Sequence, residues 1–115
     1  MTHEITADAT LRILSDGVKA FGPGIAQLLE GIEAYGSLRR SASEMGMSYN
    51  KAWNIVRNSE ACLGCTLIER RIGGARGGGA VLTEAGRDLL ERYRAFEKAG
   101  KQALSDLARQ YFEGM

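Results

Sequence analysis

Only one proline, one histidine and one tryptophan occur in 115 residues, and cysteine is limited to two. The lone Cys-x-x-Cys pair, Cys62 and Cys65, is half of a tetrahedral zinc site, and the single His3 is remote from it. No metal and no cofactor is therefore expected. Two thiols do not make a disulfide framework, and buried free thiols are the ordinary state of such a pair in a cell; redox sensing is the alternative reading. No apolar run approaches the roughly 18 residues of a membrane-spanning helix. Met1-Thr-His-Glu-Ile5 lacks the basic and then apolar start of a signal peptide. A cytoplasmic protein without membrane association is the expectation. Also missing are a nucleophilic triad, carboxylates paired in an evident pocket, and a Gly-x-x-x-x-Gly-Lys-Ser/Thr string. An enzyme, a nucleotide site or another small-molecule site is not expected.

The net charge of +1 is small, but it is unevenly laid out. From Ser37 to Leu82 seven basic residues, Arg39, Arg40, Lys51, Arg57, Arg70, Arg71 and Arg76, face three acids, Glu44, Glu60 and Glu69. That stretch carries +4 and the rest of the chain −3. Positive charge is gathered where a phosphate backbone could use it, although solvated basic faces are also common.

A chain of this length buries one core. Residues 1–9 are polar and are expected to be frayed. Thr10-Leu-Arg-Ile-Leu14 alternates like a short strand, Asp16-Gly17 signals a turn, and Phe21-Gly-Pro-Gly24 breaks the chain. Pro23 suits the first turn of a helix that buries Ile25, Leu28, Leu29 and Ile32 and closes at Gly36. Ser37 caps a second, short helix burying Leu38, Ala42 and Met45, with Ala42 small enough for a close crossing. Gly46 ends it in the left-handed conformation and Met47 plugs the corner. Ser48 caps a third helix burying Ala52, Ile55 and Val56, with Ser59 and Leu63 further on. Two short helices around such a turn make a helix-turn-helix, which a generic helical hairpin could imitate.

The stretch after the third helix favours the helix-turn-helix. Thr66-Leu-Ile-Glu-Arg-Arg-Ile72 and Ala80-Val-Leu-Thr83 have strand character, and Gly73-Gly-Ala-Arg-Gly-Gly-Gly79 between them suits neither helix nor regular strand. Strand, glycine loop and strand directly after that helix describe a wing. Thr83 and Glu84 then begin a long helix to about Phe112, with Asp88–Arg92 and Glu97–Lys101 supporting its exposed side. Leu89, Tyr93, Phe96, Gly100, Ala103 and Leu107 recur every three and four residues, the seam of a coiled coil, and are assigned to dimerisation. The expected fold is mainly α with a small β wing, a winged helix-turn-helix over residues 1–83 continuous with a dimerisation helix over 84–115.

A recognition helix turns its N-terminal residues to the major groove. With Ala52, Ile55 and Val56 inward, Ser48, Tyr49, Asn50, Lys51, Asn54 and Arg57 are the candidate contacts. Trp53 lies one step off the buried face, where it can pack under the wing. Arg39 and Arg40, opening the preceding helix, and Arg70, Arg71 and Arg76 of the wing are candidate backbone contacts.

Gly46-Met-Ser-Tyr-Asn-Lys-Ala-Trp53, Leu67-Ile-Glu-Arg70 and Gly73-Gly-Ala-Arg-Gly-Gly-Gly-Ala-Val-Leu-Thr83 together resemble the N-terminal DNA-binding domain of ModE-type molybdenum-responsive regulators. Leu63-Gly-Cys-Thr-Leu-Ile-Glu-Arg70 and Leu82-Thr-Glu-Ala-Gly86 are similar, more distantly, to LysR-type regulators. The resemblance implies a sequence-specific transcriptional regulator, a homodimer on a pseudo-palindromic double-stranded operator. The family's molybdate-binding modules come after its long helix, whereas this chain stops at Met115, so a regulator without them is expected. The alternatives are a winged-helix protein-interaction module, or a DNA-binding subunit working with a separate sensor chain.

Overall fold

The computed structural model describes residues 3–71 and 79–115. Its elements run β1 (Ile13–Ser15), β2 (Val18–Phe21), α1 (Pro23–Tyr35), α2 (Leu38–Glu44), α3 (Tyr49–Leu63), β3 (Ile68–Arg71), β4 (Gly79–Leu82) and α4 (Glu84–Phe112). The glycine loop, with Arg76, lies outside the described residues. The architecture is the winged helix-turn-helix with a long C-terminal helix.

Asp16 and Gly17 have φ of 50° and 78°, the two positive values that a tight hairpin turn of matching twist needs. They join β1 and β2 into an antiparallel pair that stands apart from the β3–β4 pair. The sequence pattern predicts one strand here, over Thr10–Leu14, and gives no sign of β2. Val18 and Lys19 are exposed while Ala20 and Phe21 are buried, so β2 never shows a half-buried strand's alternation.

Three capping side chains set the helix starts. Ser37 Oγ accepts from the Arg40 N–H at 3.0 Å, Ser48 Oγ from Lys51 at 3.1 Å, and Thr83 Oγ1 from Gly86 at 3.0 Å. Each satisfies a helix N–H that has no partner within its own helix, an arrangement whose loss costs about 1 kcal/mol. Gly36 ends α1 and Gly46 forms the turn after α2, both left-handed as expected. The close crossing of α1 and α2 rests on Gly31 as well as on Ala42. A Cβ at Gly31 would sit 2.0 Å from Ser41 Oγ, and that buried hydroxyl donates to the Leu28 carbonyl at 2.8 Å.

The core gathers Phe21 of β2, Ile25, Leu28, Leu29 and Ile32 of α1, Ala52 and Val56 of α3, and Leu67, Leu82, Leu90 and Tyr93. Ile55, expected among the buried residues, is only half-buried. Glu60 Oε2 accepts from the Leu67 N–H at 2.8 Å, holding the chain as it turns from α3 into β3. Ala80 N–H bonds the Gly36 carbonyl at 2.9 Å, which ties β4 to the end of α1.

The 29 residues of α4 make a rod of about 43 Å. Its first half packs on the core. Along its second half lies the N-terminal segment that was expected to be frayed. Ala7 N–H meets Ser105 Oγ at 3.3 Å, the Tyr93 hydroxyl donates to the Leu11 carbonyl at 2.8 Å, and Leu11 packs against Gly100. Burial raises the Tyr93 phenol above its ordinary pKa, and the Glu97 carboxylate beside it adds to the shift.

Candidate nucleic-acid interface

On α3 the inward side is taken by Ala52, Val56 and Ser59, the last donating to the Ala20 carbonyl. Asn50, Lys51, Asn54, Arg57 and Asn58 are exposed. Asn58 was not among the sequence candidates. It lies four residues beyond Asn54 and seven beyond Lys51, so helical periodicity was the signal that could have found it. Ser48 is exposed and serves as the cap.

Tyr49 is placed differently from its exposed neighbours. It is half-buried, with the Arg39 guanidinium 4.3 Å from its ring centroid and its hydroxyl 3.4 Å from Arg70 Nη2. Its ring meets Trp53 edge-on at 6.2 Å. Arg57 and Arg70 both stand over the Trp53 ring, at 5.1 and 5.0 Å, and Arg40 stands over Tyr35 at 4.5 Å. Among the described residues, Trp53 Nε1 is the buried side-chain polar atom without a hydrogen-bond partner.

The wing strands pair Ile68 with Leu82 and Arg70 with Ala80. Side chains alternate across a strand, so Arg70 shares the face of β3 that Ile68 buries, while Arg71 takes the other face; both arginines are exposed. The structure thus brings Tyr49, Arg57 and Arg70 together around Trp53, with Arg39 over the outer ring, Tyr49. Asn50, Lys51 and Asn54 stand on the open side of the same helix.

The electrostatics divide as the sequence does. The ion pairs among the described residues are Arg87–Glu33, Arg92–Asp88, Arg94–Glu30, Arg94–Glu97, Lys101–Glu97 and Arg109–Asp106. Each uses a basic residue of α4. None involves Arg39, Arg40, Lys51, Arg57, Arg70 or Arg71, and those guanidiniums that have close partners find them on aromatic rings. A cation held on a ring keeps its charge and most of its donors for an incoming anion, whereas the charge of an ion-paired one is already partly neutralised by its carboxylate.

The residues assigned to dimerisation separate into two sets. Tyr93 is 2% exposed, stacks edge-on with Phe21 at 5.2 Å and belongs to the chain's own core; Leu89 is half-buried against it. Phe96 and Leu107 are each 48% exposed, and Ala103 lies exposed between them. Tyr111, 75% exposed, extends that stripe and was not foreseen. Cys62 and Cys65 are free and half-buried; Cys62 Sγ donates to the Lys19 carbonyl at 3.7 Å, and Cys65 packs on the core.

The sequence model for bacterial regulatory helix-turn-helix proteins of the lysR family matches residues 26–87, just over half of the chain. The chain belongs to that family. The matched stretch runs from α1 through the helix-turn-helix and wing into the first turn of α4. Similarity to individual proteins is more specific. Over 82 residues the chain is 38% identical to the molybdenum transport protein ModE of Azotobacter vinelandii, covering 71% of this chain and 30% of that protein. It is 40% identical over 78 residues to the molybdenum-pterin-binding protein MopB of Rhodobacter capsulatus, covering 68% and 29%. It is 34% identical over 86 residues to the DNA-binding transcriptional dual regulator ModE of Escherichia coli K12, covering 75% and 33%. These matches bear out the ModE-type resemblance of the turn-helix and wing. The chain spans about a third of the length of these curated relatives.

Proposed function

We propose that this protein is a sequence-specific DNA-binding transcriptional regulator that acts as a homodimer in the cytoplasm. The observation that carries the reading is the set of cations from Arg39 to Arg71, free of carboxylate partners among the described residues and grouped around the exposed asparagines of α3. In this reading α3 enters the major groove. Asn50 and Asn54 read base edges, adenine being the base an asparagine pairs with by two hydrogen bonds, and Lys51 reaches guanine or phosphate. Arg39 and Arg40 at the start of α2, and Arg70 and Arg71 on β3, meet the phosphate backbone and fix the register. Arg76, in the glycine loop, joins them as a phosphate or minor-groove contact. No covalent step is involved.

Two copies meet along Phe96, Ala103, Leu107 and Tyr111, an apolar stripe that a lone chain leaves in water. A two-fold dimer of this kind reads two inverted half-sites, so the operator is a pseudo-palindrome. DNA binding is the part of the relatives' activity that the matched third of their length supports.

Selection of bound fragments from genomic DNA tests the reading. The wild-type chain is expected to enrich a recurrent inverted repeat, and a variant carrying Asn50→Ala, Lys51→Ala and Asn54→Ala is expected to lose it. Equal enrichment by the two proteins would overturn the assignment of α3. Retention of a protein partner with no duplex bound at physiological salt would favour an interaction module instead.

A further inference from the structure

We infer that Trp53 is the positioning residue of this interface: its ring holds Arg70 of the wing and Arg57 of α3, and so sets the angle between wing and recognition helix without a hydrogen bond to DNA. The inference rests on the DNA-binding reading and assigns a role within it. Four observations carry it. Both guanidiniums lie within the roughly 6 Å over which a cation is attracted to a ring face, and tryptophan offers the strongest such face. Arg70 shares a face of β3 with the buried Ile68, and its side chain, though exposed, reaches across to α3. Its Nη2 also reaches the Tyr49 hydroxyl one helical turn before Trp53, and the two rings meet edge-on, so wing and helix are joined at two successive turns. Finally, the indole N–H is buried and has no hydrogen-bond partner among the described residues.

That last point separates the readings of the residue. A buried N–H cannot reach a phosphate, so the half-buried indole has no hydrogen bond to offer DNA. An N–H without a partner also costs free energy that a purely apolar side chain would avoid, so filling space under the wing does not account for an indole. The breadth of its ring, enough to carry two guanidiniums, does. Arg39 over Tyr49 continues the same arrangement onto α2. Three elements that must meet one duplex together are thereby linked through one aromatic pair.

Trp53 is the chain's single tryptophan, so its emission reports the stack directly. In the free protein, Arg70→Ala is expected to shift that emission, while Arg71→Ala, next in sequence but on the opposite face of β3, leaves it unchanged. On duplex DNA, Trp53→Ala is expected to lower affinity about tenfold and to flatten the salt dependence by the loss of one or two phosphate contacts, about 0.9 in log–log slope for each. Trp53→Phe, which keeps a ring and the fold, restores most of the affinity. The Trp53→Ala/Arg70→Ala double variant is expected to bind no more weakly than Trp53→Ala alone. Additive losses, a Phe variant as weak as the Ala variant, or emission indifferent to Arg70 would each overturn the role. A wild-type chain that bound no duplex would overturn the DNA reading itself, and the emission experiment, which needs no DNA, tells that failure apart.

Discussion

Two regions of this molecule use the same side chains in opposite ways. On α4, Arg87, Arg92, Arg94, Lys101 and Arg109 are bound to carboxylates: Arg94 alone holds Glu30 through two nitrogens, at 2.6 and 3.0 Å, and Glu97 at 2.8 Å. On α2, α3 and β3, arginines rest on Tyr35, Tyr49 and Trp53. The first arrangement joins elements and consumes charge. The second keeps long side chains in place while leaving their charge to act outward. A net charge of +1 conceals this, because the acids that form ion pairs do so with basic residues of α4.

The contrast can be broken from either side, and the largest effect belongs to the packing side. A Cβ at Gly86, in the first turn of α4, would lie 2.2 Å from the Leu67 carbonyl oxygen, a backbone atom that cannot swing away. Gly86→Ala is expected to cost about 3 kcal/mol of stability, the upper part of the usual range for overpacking. Denaturant unfolding checks this, and a change below about 0.5 kcal/mol, the scatter of surface substitutions, would contradict the packing described.

Lys51→Ala comes next and should act on the other quantity. Loss of one groove contact is expected to weaken operator binding by about 1–3 kcal/mol, on the order of tenfold to a hundredfold. The melting temperature should stay within error, since Lys51 is exposed and has no ion-pair partner among the described residues.

Arg94→Gln removes one of the two ion-pair ties from α4 to α1, leaving Arg87–Glu33. Because Arg94 and Glu30 are partly exposed, solvent screening holds the expected loss to about 1 kcal/mol, with operator affinity unchanged. Tyr93→Phe is expected to cost a similar or smaller amount by freeing the Leu11 carbonyl. It should also alter the alkaline limit. A phenol whose folded pKa is raised contributes stability below its unfolded pKa, near 10, and loses it as pH rises through the folded value. The wild-type chain should therefore lose stability above about pH 10 more steeply than the Phe variant. Arg92→Gln, at an exposed i, i+4 pair, should change neither quantity measurably.

The features legible in the sequence are those the chain encodes locally. Ser37, Ser48 and Thr83 announce helix starts, Gly36 and Gly46 the stops, and the spacing of Ala52 and Val56 the inward side of α3. Arg92–Asp88 and Lys101–Glu97 lie where their separation of four placed them. What escaped depends on partners far off in sequence. The N-terminal segment is held by Ser105, 98 residues away, and nothing in its polar residues signals that. Tyr49 reads as a groove residue by position on the helix; Arg39 from α2 and Arg70 from β3 claim it only once the wing has folded back. Tyr93 fits a coiled-coil seam and a core position equally well by spacing, and Phe21 takes it into the core. Asn58 is the exception, legible by period and passed over.

The central claim is that carboxylate-free cations, and not the chain's positive charges at large, meet the nucleic acid. It is tested most directly by the salt dependence of operator affinity in two double variants that each remove two positive charges. Arg40→Ala with Arg71→Ala, both placed on the phosphate backbone, is expected to reduce the log–log slope by about 2, near 0.9 for each lost phosphate contact. Arg92→Gln with Lys101→Gln, whose charges are already engaged by Asp88 and Glu97, is expected to leave the slope unchanged. Equal reductions in both variants, or a reduction in the second alone, would contradict the account.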